Sequence, residues 1–265
     1  MSEGTVSDEV MPRVSTNGLG RFQRGVDLLC VLVALIVLWQ ALNWIVGDVA
    51  VSGPADTVRH AIELLARPRF WPHVEESMIA FVYALVLAWG MGIGMGVWLG
   101  AHRLSGDLAE PILVALYSLP KVTLYPLILL MFGLGLSAKV AFGWIHGVIP
   151  VAIFTMNAIK NIKPVYLKSA RTMKLTPWQA ATTILLPASL PEVVTGLRVG
   201  FSLTLLGVLI GEMFASKRGL GFTIINAIGL HDVETMMAVT LLLFVFAAVS
   251  NAFLLALDRR LHKRV

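Results

Sequence analysis

Long apolar runs separated by short polar segments dominate this chain and restrict most strongly how it can fold. They cover residues 26–46, 77–101, 108–134, 138–157, 191–214 and 236–257. A helix of about 20 apolar residues crosses a bilayer, so runs of this length predict membrane-spanning helices. Hydrophobic residues make up 57% and charged residues 14% of the chain, against roughly 45–50% and about 25% in soluble domains. The sequence therefore predicts an all-α integral membrane protein with six transmembrane helices.

Basic residues are distributed unevenly between the two sets of connecting segments. With both termini in the cytoplasm, the inner segments hold 13 Lys and Arg residues and the outer segments hold 6. The inner ones are Arg13, Arg21, Arg24, Arg103, Lys160, Lys163, Lys168, Arg171, Lys174, Arg259, Arg260, Lys263 and Arg264; the outer ones are Arg59, Arg67, Arg69, Lys139, Lys217 and Arg218. The positive-inside rule therefore predicts cytoplasmic termini and a cytoplasmic segment 160–190.

Four regions follow from this pattern. They are a polar cytoplasmic tail (1–22), a first transmembrane helix (23–46), a membrane core (77–257) that contains the cytoplasmic segment 160–190, and a basic cytoplasmic tail (258–265). A cleaved signal peptide is the alternative for the first run, but that run is too long for such a region and no small-residue cleavage site follows it. Cys30 is the only cysteine, which excludes an intrachain disulfide.

The sequence excludes several classes of chemistry. Residues 133–139 approach a P-loop but lack the glycine before the lysine, so any ATP hydrolysis must come from another chain. The pI near 9.6 is explained by basic loops at the membrane, and we expect no nucleic-acid partner. His231, Asp232 and Glu234 fit no metal-site spacing, and His146 has no catalytic companions. We expect neither a catalytic site nor a bound metal.

The segment 160–190 is polar and basic although it lies between membrane spans. Pro164 suits the first turn of one short helix. Thr176, Pro177 and Gln179 form the capping-box pattern that opens a second helix. A basic pair of helices at the cytoplasmic surface is expected to contact a partner there. The alternative is a solvated loop that only sets topology.

The second run carries glycines at helical spacing. Gly92, Gly96 and Gly100 recur every four residues and so share one face of a helix. Such a face lets a neighbouring backbone approach closely. The alternative is glycine scattered through an ordinary span. Before this run, residues 54–66 predict a short amphipathic helix.

The third run is interrupted by Pro111, Pro120 and Pro126 and carries Lys121 near its middle. Backbone groups freed by proline, and a lysine at membrane depth, must face protein or water. The run is therefore expected to lie beside a solute path, unless Lys121 snorkels from a helix end. Charged residues also lie near the two ends of the fifth run. The candidate path residues are Pro120, Lys121, Pro126, Arg198 and Glu212.

The segment 160–190 resembles the cytoplasmic "EAA" loop of binding-protein-dependent ABC importer permeases. That pattern is Glu-Ala-Ala, three residues, Gly, and about nine residues later an apolar-x-Leu-Pro. Here Lys168, Ser169 and Ala170 fill the first frame, Lys174 stands in the glycine position, and residues 184–187 read Ile-Leu-Leu-Pro. The usual Glu, first Ala and Gly are thus replaced, and this leaves open which ATPase pairs with the chain.

The rest of the chain is similar to the branch of that family that handles taurine, aliphatic sulfonates and nitrate. The similarity covers roughly residues 30–257. The short sequence motifs that carry this similarity lie at residues 119–121, 125–127, 132–135, 186–191, 195–198, 212–213 and 219–221.

This resemblance implies the type I ABC importer permease fold and a set of partners. Two ATP-binding cassette subunits, which use ATP and Mg, a periplasmic solute-binding protein and a second, identical permease copy are expected around this chain in a bacterial inner membrane. No cofactor is expected on the chain itself. The expected solute is a sulfonate, taurine, nitrate or similar; the alternatives are an amino acid, a vitamin precursor, or an ion-coupled secondary transporter. The implied ATPase-coupling residues are Lys168, Ser169, Ala170, Arg171, Lys174, Leu175, Thr176, Pro177, Leu186 and Pro187.

Overall fold

The computed structural model describes residues 19–262. Most of the predicted N-terminal tail (1–18) and the end of the predicted basic tail (263–265) lie outside these residues. The described residues form eleven α-helices. They are α1 (Leu19–Val46), α2 (Pro54–Ala66), α3 (Trp71–Ala101), α4 (Arg103–Ser118), α5 (Tyr125–Phe132), α6 (Leu136–Lys160), α7 (Pro164–Thr172), α8 (Pro177–Ala180), α9 (Leu186–Ala215), α10 (Leu220–Gly229) and α11 (Val233–His262). The chain divides into two compact units, Met1–Pro54 and Ala55–Val265, which we describe separately.

The first unit contains one apolar helix and the loop that follows it. The window Leu29–Val46 in α1 has a mean hydropathy of 2.3 and is a candidate span within the predicted first transmembrane helix, 23–46. At the end of α1, Asn43 Nδ2 donates to Asp48 Oδ1 (2.6 Å) and to the Val51 carbonyl (2.7 Å). Trp39 Nε1 donates to the Ser52 carbonyl at 3.0 Å. These side chains fold the loop back on the helix end and satisfy its polar groups.

The second unit is built around α3, α6 and α9. The predicted glycine face of α3 packs directly on α6, as expected for a small-residue interface. A β-carbon on Gly96 would lie 2.5 Å from Thr155 Cβ and 2.8 Å from the Ala152 carbonyl oxygen. The three contacts pair Gly92 with Val151, Gly96 with Thr155 and Gly100 with Ile159. Because both numbers rise together, α3 and α6 run parallel.

Helix α9 runs antiparallel to α6, again through glycines. Gly147 of α6 packs on Thr204 and Gly200, and Gly196 of α9 packs on Phe154. We call the end of this bundle where α3 and α6 finish and α9 begins the coupling end, and the opposite end the distal end.

An aromatic layer joins α3, α9 and α11. The ring of Phe201 in α9 packs edge-on against the ring of Phe81 in α3, with ring centres 5.0 Å apart, and Phe246 of α11 packs edge-on against the same Phe81 ring.

The third span is broken as predicted, but at one proline. Helices α4 and α5, with a short 3₁₀ turn (Lys121–Leu124) between them, meet at 87°. Pro120 lies at the break. Pro111 stays inside α4, and Pro126 lies in the first turn of α5. Proline interrupts a helix only where its missing N–H and its ring conflict with the preceding turn, and at the start of α5 neither conflict exists. With the broken pair counted as one, the described residues contain six candidate spans.

The distal end is closed by helices that the sequence only partly predicts. Helix α2 matches the predicted bounds, and its Ala61 and Leu64 pack with Leu220 of α10 and Val239 of α11. Helix α10 lies between the fifth and sixth apolar runs, where no helix was predicted from the sequence. The connection between the second and third runs is short, because α4 begins directly after His102.

Asp232 begins α11 at the distal end. Its Oδ1 accepts the Thr235 N–H at 3.0 Å, which satisfies one of the unpaired donors of the first helical turn. Burial alone would raise the pKa of Asp232. The hydrogen bonds from Thr235, together with His60 and Arg67 nearby, outweigh burial and hold this pKa below its ordinary value.

Candidate coupling and transport sites

The predicted pair of short helices is present at the coupling end. Helix α7 begins at Pro164, as expected. It ends in a turn closed by two hydrogen bonds, from the Leu175 N–H to the Ala170 carbonyl (3.1 Å) and from the Lys174 N–H to the Arg171 carbonyl (3.0 Å). This is the six-to-one and five-to-two pattern that ends many helices and places its last turn residue in the left-handed region.

Lys174 occupies that left-handed position, with φ of 49°. Left-handed backbone is strained for residues with a β-carbon, by roughly 1–2 kcal/mol, and is open to glycine. The glycine of the "EAA" pattern would adopt this left-handed turn without strain, whereas Lys174 adopts the same turn with strain.

Substituting Lys174 with glycine is expected to stabilise this turn by about 1 kcal/mol, because it removes the left-handed strain. Amide hydrogen exchange at the end of α7 should slow about fivefold. The matched control is Lys168→Gly, inside α7, which should speed exchange, since glycine in a helix costs about 1 kcal/mol. Equal exchange in the two variants would contradict the assignment of the turn.

The second short helix begins at a capping box, as the sequence predicts. Gln179 Oε1 accepts the Thr176 N–H at 2.9 Å, and Thr176 Oγ1 accepts the Gln179 N–H at 3.3 Å. Helix α8 then runs through a π-helical turn, Ala181–Leu185, into α9. Single π turns inside helices are frequent at functional sites. The segment and the membrane helix α9 are thus continuous.

The predicted coupling residues differ in accessibility. Lys168, Ser169 and Arg171 are exposed, whereas Ala170 is only 6% exposed. The small side chain of Ala170 therefore fits the packing of the segment on its own chain. Among the others, Lys174, Thr176 and Leu186 are exposed, and Leu175 and Pro187 are half-buried.

Apolar side chains accompany these exposed cations. The exposed ones are Val165, Tyr166, Met173 and Trp178, the last of them 77% exposed. Large apolar side chains in a polar segment are typical of a protein contact. With Lys163, Lys168, Arg171 and Lys174, they form a mixed apolar and basic surface, which we call the coupling surface.

Lys160 connects this segment to a second membrane helix. Its Nζ donates to Asp107 Oδ1 at 2.7 Å and to Glu110 Oε2 at 2.8 Å, both on α4. The residue that ends α6 and precedes the segment is therefore tied to the helix that leads to the Pro120 break. A movement of the segment would reach α4 through this contact.

The predicted path residues fall into two groups. Lys121 is buried, and its Nζ donates to the Tyr117 carbonyl at 3.0 Å and lies 5.3 Å from the centre of the Tyr117 ring. Tyr117 also lines a cleft that contains Arg198. Tyr117 therefore connects the buried Lys121, which follows Pro120 in the chain, to the cleft of Arg198. Pro126 lies in the adjacent α5.

Glu212, the remaining path candidate, lies near the distal end and is fully buried. Its carboxylate accepts the Ser77 hydroxyl at 2.8 Å and the Gly221 N–H at 2.9 Å. Lys139, also fully buried, donates to Glu76 Oε1 at 2.9 Å and lies 3.8 Å from Glu212 Oε1. We call Glu76, Ser77, Lys139 and Glu212 the distal network.

Sequence reasoning missed most of this network. Lys139 was counted as an outer charge, yet its Nζ is buried and also donates to the Arg218 carbonyl at 3.0 Å. Glu76 and Ser77 belong to α3, which begins six residues before the predicted span. The available signal was that Lys139 falls within an apolar run, where a charge is normally paired.

The described residues contain no group of three or more metal-ligating side chains that could hold an ion. Two sets of residues are candidate sites: the coupling surface outside the spans, and the polar residues inside them.

A model of the family described as binding-protein-dependent transport system inner membrane component matches residues 90–265. This is more than half of the chain, and the chain belongs to that family. It is a membrane-spanning permease subunit of an ABC importer.

Individual relatives agree with this assignment. The chain is 24% identical over 231 residues to the putative aliphatic sulfonates transport permease protein SsuC of Bacillus subtilis. This alignment covers 86% of this chain and 84% of that protein. It is 30% identical over 255 residues to the riboflavin transport system permease protein RibX of Chloroflexus aurantiacus, covering 92% and 94%.

A solved structure shares the fold. A chain of the inward-facing MetNI methionine ABC transporter superimposes with a TM-score of 0.63 at 20% identity, covering 75% of this chain and 96% of that one. The expected type I ABC importer permease fold is thereby confirmed.

Proposed function

We propose that two copies of this chain form the translocation pathway of an ATP-driven importer and that the coupling surface binds the ATP-binding subunit. The observation that carries the proposal is the exposed combination of Trp178, Met173 and the cations of α7 on a segment continuous with α9. Hydrolysis of ATP, with its Mg, takes place on that separate subunit. The chain itself supplies binding and movement, and no covalent step.

The orientation follows from charge. The coupling surface is basic, and positive loops stay in the cytoplasm, where ATP is available. Helix α11 runs antiparallel to α9, so the described C-terminal end of the chain lies at the coupling end. The C-terminal end and the coupling surface are therefore assigned to the cytoplasm, and the distal end to the face that receives solute from a periplasmic binding protein. The N-terminus is assigned to the cytoplasm separately, from its basic residues Arg13, Arg21 and Arg24.

The second copy is inferred from the exposed polar cleft at Arg198. A charged residue at membrane depth faces protein or water rather than lipid, yet this cleft opens on the surface of a single chain. A second copy would cover it and enclose a path.

The solute is assigned to two candidate classes. Similarity to SsuC, a putative aliphatic sulfonates permease, supports a small sulfonate or a related anion. Similarity to RibX, a riboflavin permease, supports a heteroaromatic vitamin instead. Uptake of radiolabelled taurine and of riboflavin by cells producing the complete transporter separates them. Uptake of taurine but not riboflavin supports the first class, and the reverse result supports the second.

The coupling surface is tested by Trp178→Ala. Loss of a central interface tryptophan costs about 2 kcal/mol or more, so affinity for the ATP-binding subunit should fall about 30-fold. Pull-down from purified components measures this affinity. The control is Trp44→Ala at the end of α1, since Trp44 is 79% exposed, close to the 77% of Trp178. Unchanged affinity in the Trp178 variant, with both variants inserted normally, would refute the proposed surface.

A further inference from the structure

A polar cleft lies within the membrane-spanning part of the second unit, between α4, α9 and α11. Its volume is about 350 Å³, and its lining includes Tyr117, Thr195, Arg198, Ser202 and Asn251. Each of these residues brings a hydroxyl, amide or guanidinium group into a region of apolar spans. Polar groups at such depth are costly and are kept for function.

Arg198 is held in a defined position in this cleft. Its Nε and Nη2 both donate to Asn251 Oδ1, at 3.3 Å each, which joins α9 to α11. This contact orients the planar guanidinium, whose five N–H groups suit flat or tetrahedral oxyanions. The Asn251 oxygen is engaged, so its amide NH₂ is the part that can serve as a further donor.

A second cation contacts one of the residues that line this cleft. The Lys121 ammonium lies over the ring of Tyr117 and bonds to its carbonyl, and Tyr117 lines the cleft. Among the described residues no carboxylate lies within 4 Å of Lys121 Nζ. The acids of α4, Asp107 and Glu110, are engaged by Lys160 instead. None of the described residues that line the cleft is an Asp or Glu, and the acids of α4 are bound by Lys160.

We infer that this cleft is a solute-contact site that binds an oxyanion group, a sulfonate or carboxylate, of the transported molecule. Arg198 is its main contact, Asn251 positions Arg198, and Lys121, which contacts Tyr117, adds positive potential nearby. The inference rests on the proposed importer function and adds the charge of the solute. The volume, about 350 Å³, lies at the small end of the range for small-molecule pockets.

The test uses the full chain in nanodiscs and, in parallel, the reconstituted importer. Broadening of the chloride resonance in ³⁵Cl NMR reports anion binding, and titration with methanesulfonate should reverse it. Arg198→Gln keeps an amide beside Asn251 but removes the charge. It should weaken methanesulfonate competition at least about tenfold, as expected for one charge-assisted hydrogen bond. Arg198→Lys should retain part of the binding.

Two controls separate this role from others. Arg59→Gln changes an exposed arginine outside the spans and should leave competition unchanged. Asn251→Ala removes the α9–α11 contact but not the charge. If Arg198 only holds these helices together, Asn251→Ala and Arg198→Gln should lower thermal stability equally, and methanesulfonate competition in both variants should equal that of the wild type.

Failure of the inference and failure of the proposed function give different results. If the reconstituted importer takes up taurine with the same KM in wild type and Arg198→Gln, and their methanesulfonate competition is equal, the cleft is not an anion site. If the wild type shows anion competition that Arg198→Gln loses, but no ATP-driven uptake of any solute occurs, the anion site stands and the importer function is refuted. A higher KM for taurine in Arg198→Gln, with wild-type ATP hydrolysis, supports both.

Discussion

Replacement of Gly96 by leucine is expected to destabilise the membrane core by about 3 kcal/mol or more. A β-carbon at this position would meet Thr155 Cβ at 2.5 Å and the Ala152 carbonyl at 2.8 Å. Backbone atoms of α6 cannot move aside without separating the helices, and overpacking of well-packed cores typically costs 1–3 kcal/mol even where side chains can adjust. Thermal unfolding of the purified protein in detergent measures the effect.

The matched control for this substitution lies two residues away on the same helix. Gly94 has no atom within 4 Å of its hypothetical β-carbon. Gly94→Leu should therefore shift the unfolding temperature little, because surface substitutions usually change stability by less than about 0.5 kcal/mol. If both leucine variants unfold at the same temperature, α3 and α6 do not pack through this glycine face.

Replacement of Lys139 by methionine is the second substitution with a large expected effect. Lys139 is fully buried and supplies the positive charge of the distal network, next to Glu76 and Glu212. Removing one partner of a buried ion pair leaves an uncompensated charge and costs about 3–5 kcal/mol. We expect a lower unfolding temperature and faster proteolysis at residues 216–219, which the Arg218 carbonyl contact of Lys139 holds in place.

Two companion variants make this prediction specific. Lys217→Met alters an exposed lysine of the same loop and should have little effect. Adding Glu76→Gln to Lys139→Met removes one unpaired carboxylate and should recover part of the lost stability. If Lys139→Met is as stable as Lys217→Met, the distal network does not contribute to the folded state.

The helical architecture was largely predictable because it depends on local patterns. The apolar runs gave the spans, the spacing of Gly92, Gly96 and Gly100 gave the face of α3 that packs, and Thr176 with Gln179 gave the start of α8. Each of these signals lies within one helix or one turn. Pro120 was one of three prolines predicted to interrupt the third run. The position of each proline relative to its helix decides which of them breaks the span.

The sites could be predicted only in part because their residues come from distant parts of the chain. Glu212 and Lys139 were visible as charges, but their pairing depends on how α3, α6 and α9 meet. The accessibility of Ala170 could not be read from a motif, since burial of a small residue is set by neighbours that the motif does not contain. Helix α10 was missed because a helix of ten residues is too short to be recognised as a span.

Contacts within the second unit connect the coupling surface to the cleft at Arg198. The segment is continuous with α9 through the π-helical turn and is tied to α4 by Lys160. Both helices line the cleft at Arg198. A rigid-body shift of the coupling surface would therefore act on two walls of the cleft together, as expected when helix movements at a fixed site change its access.

The central claim is that this chain is the membrane pathway of an importer that a separate ATPase drives through the coupling surface. The most direct measurement is uptake of taurine and of riboflavin, the two candidate solutes, into proteoliposomes that contain the chain, its ATP-binding subunit and its solute-binding protein. Uptake should require all three proteins and ATP on the side of the coupling surface, and Trp178→Ala should abolish most of it. Uptake that persists without the ATP-binding subunit and follows a proton gradient would contradict the claim and identify a secondary transporter instead.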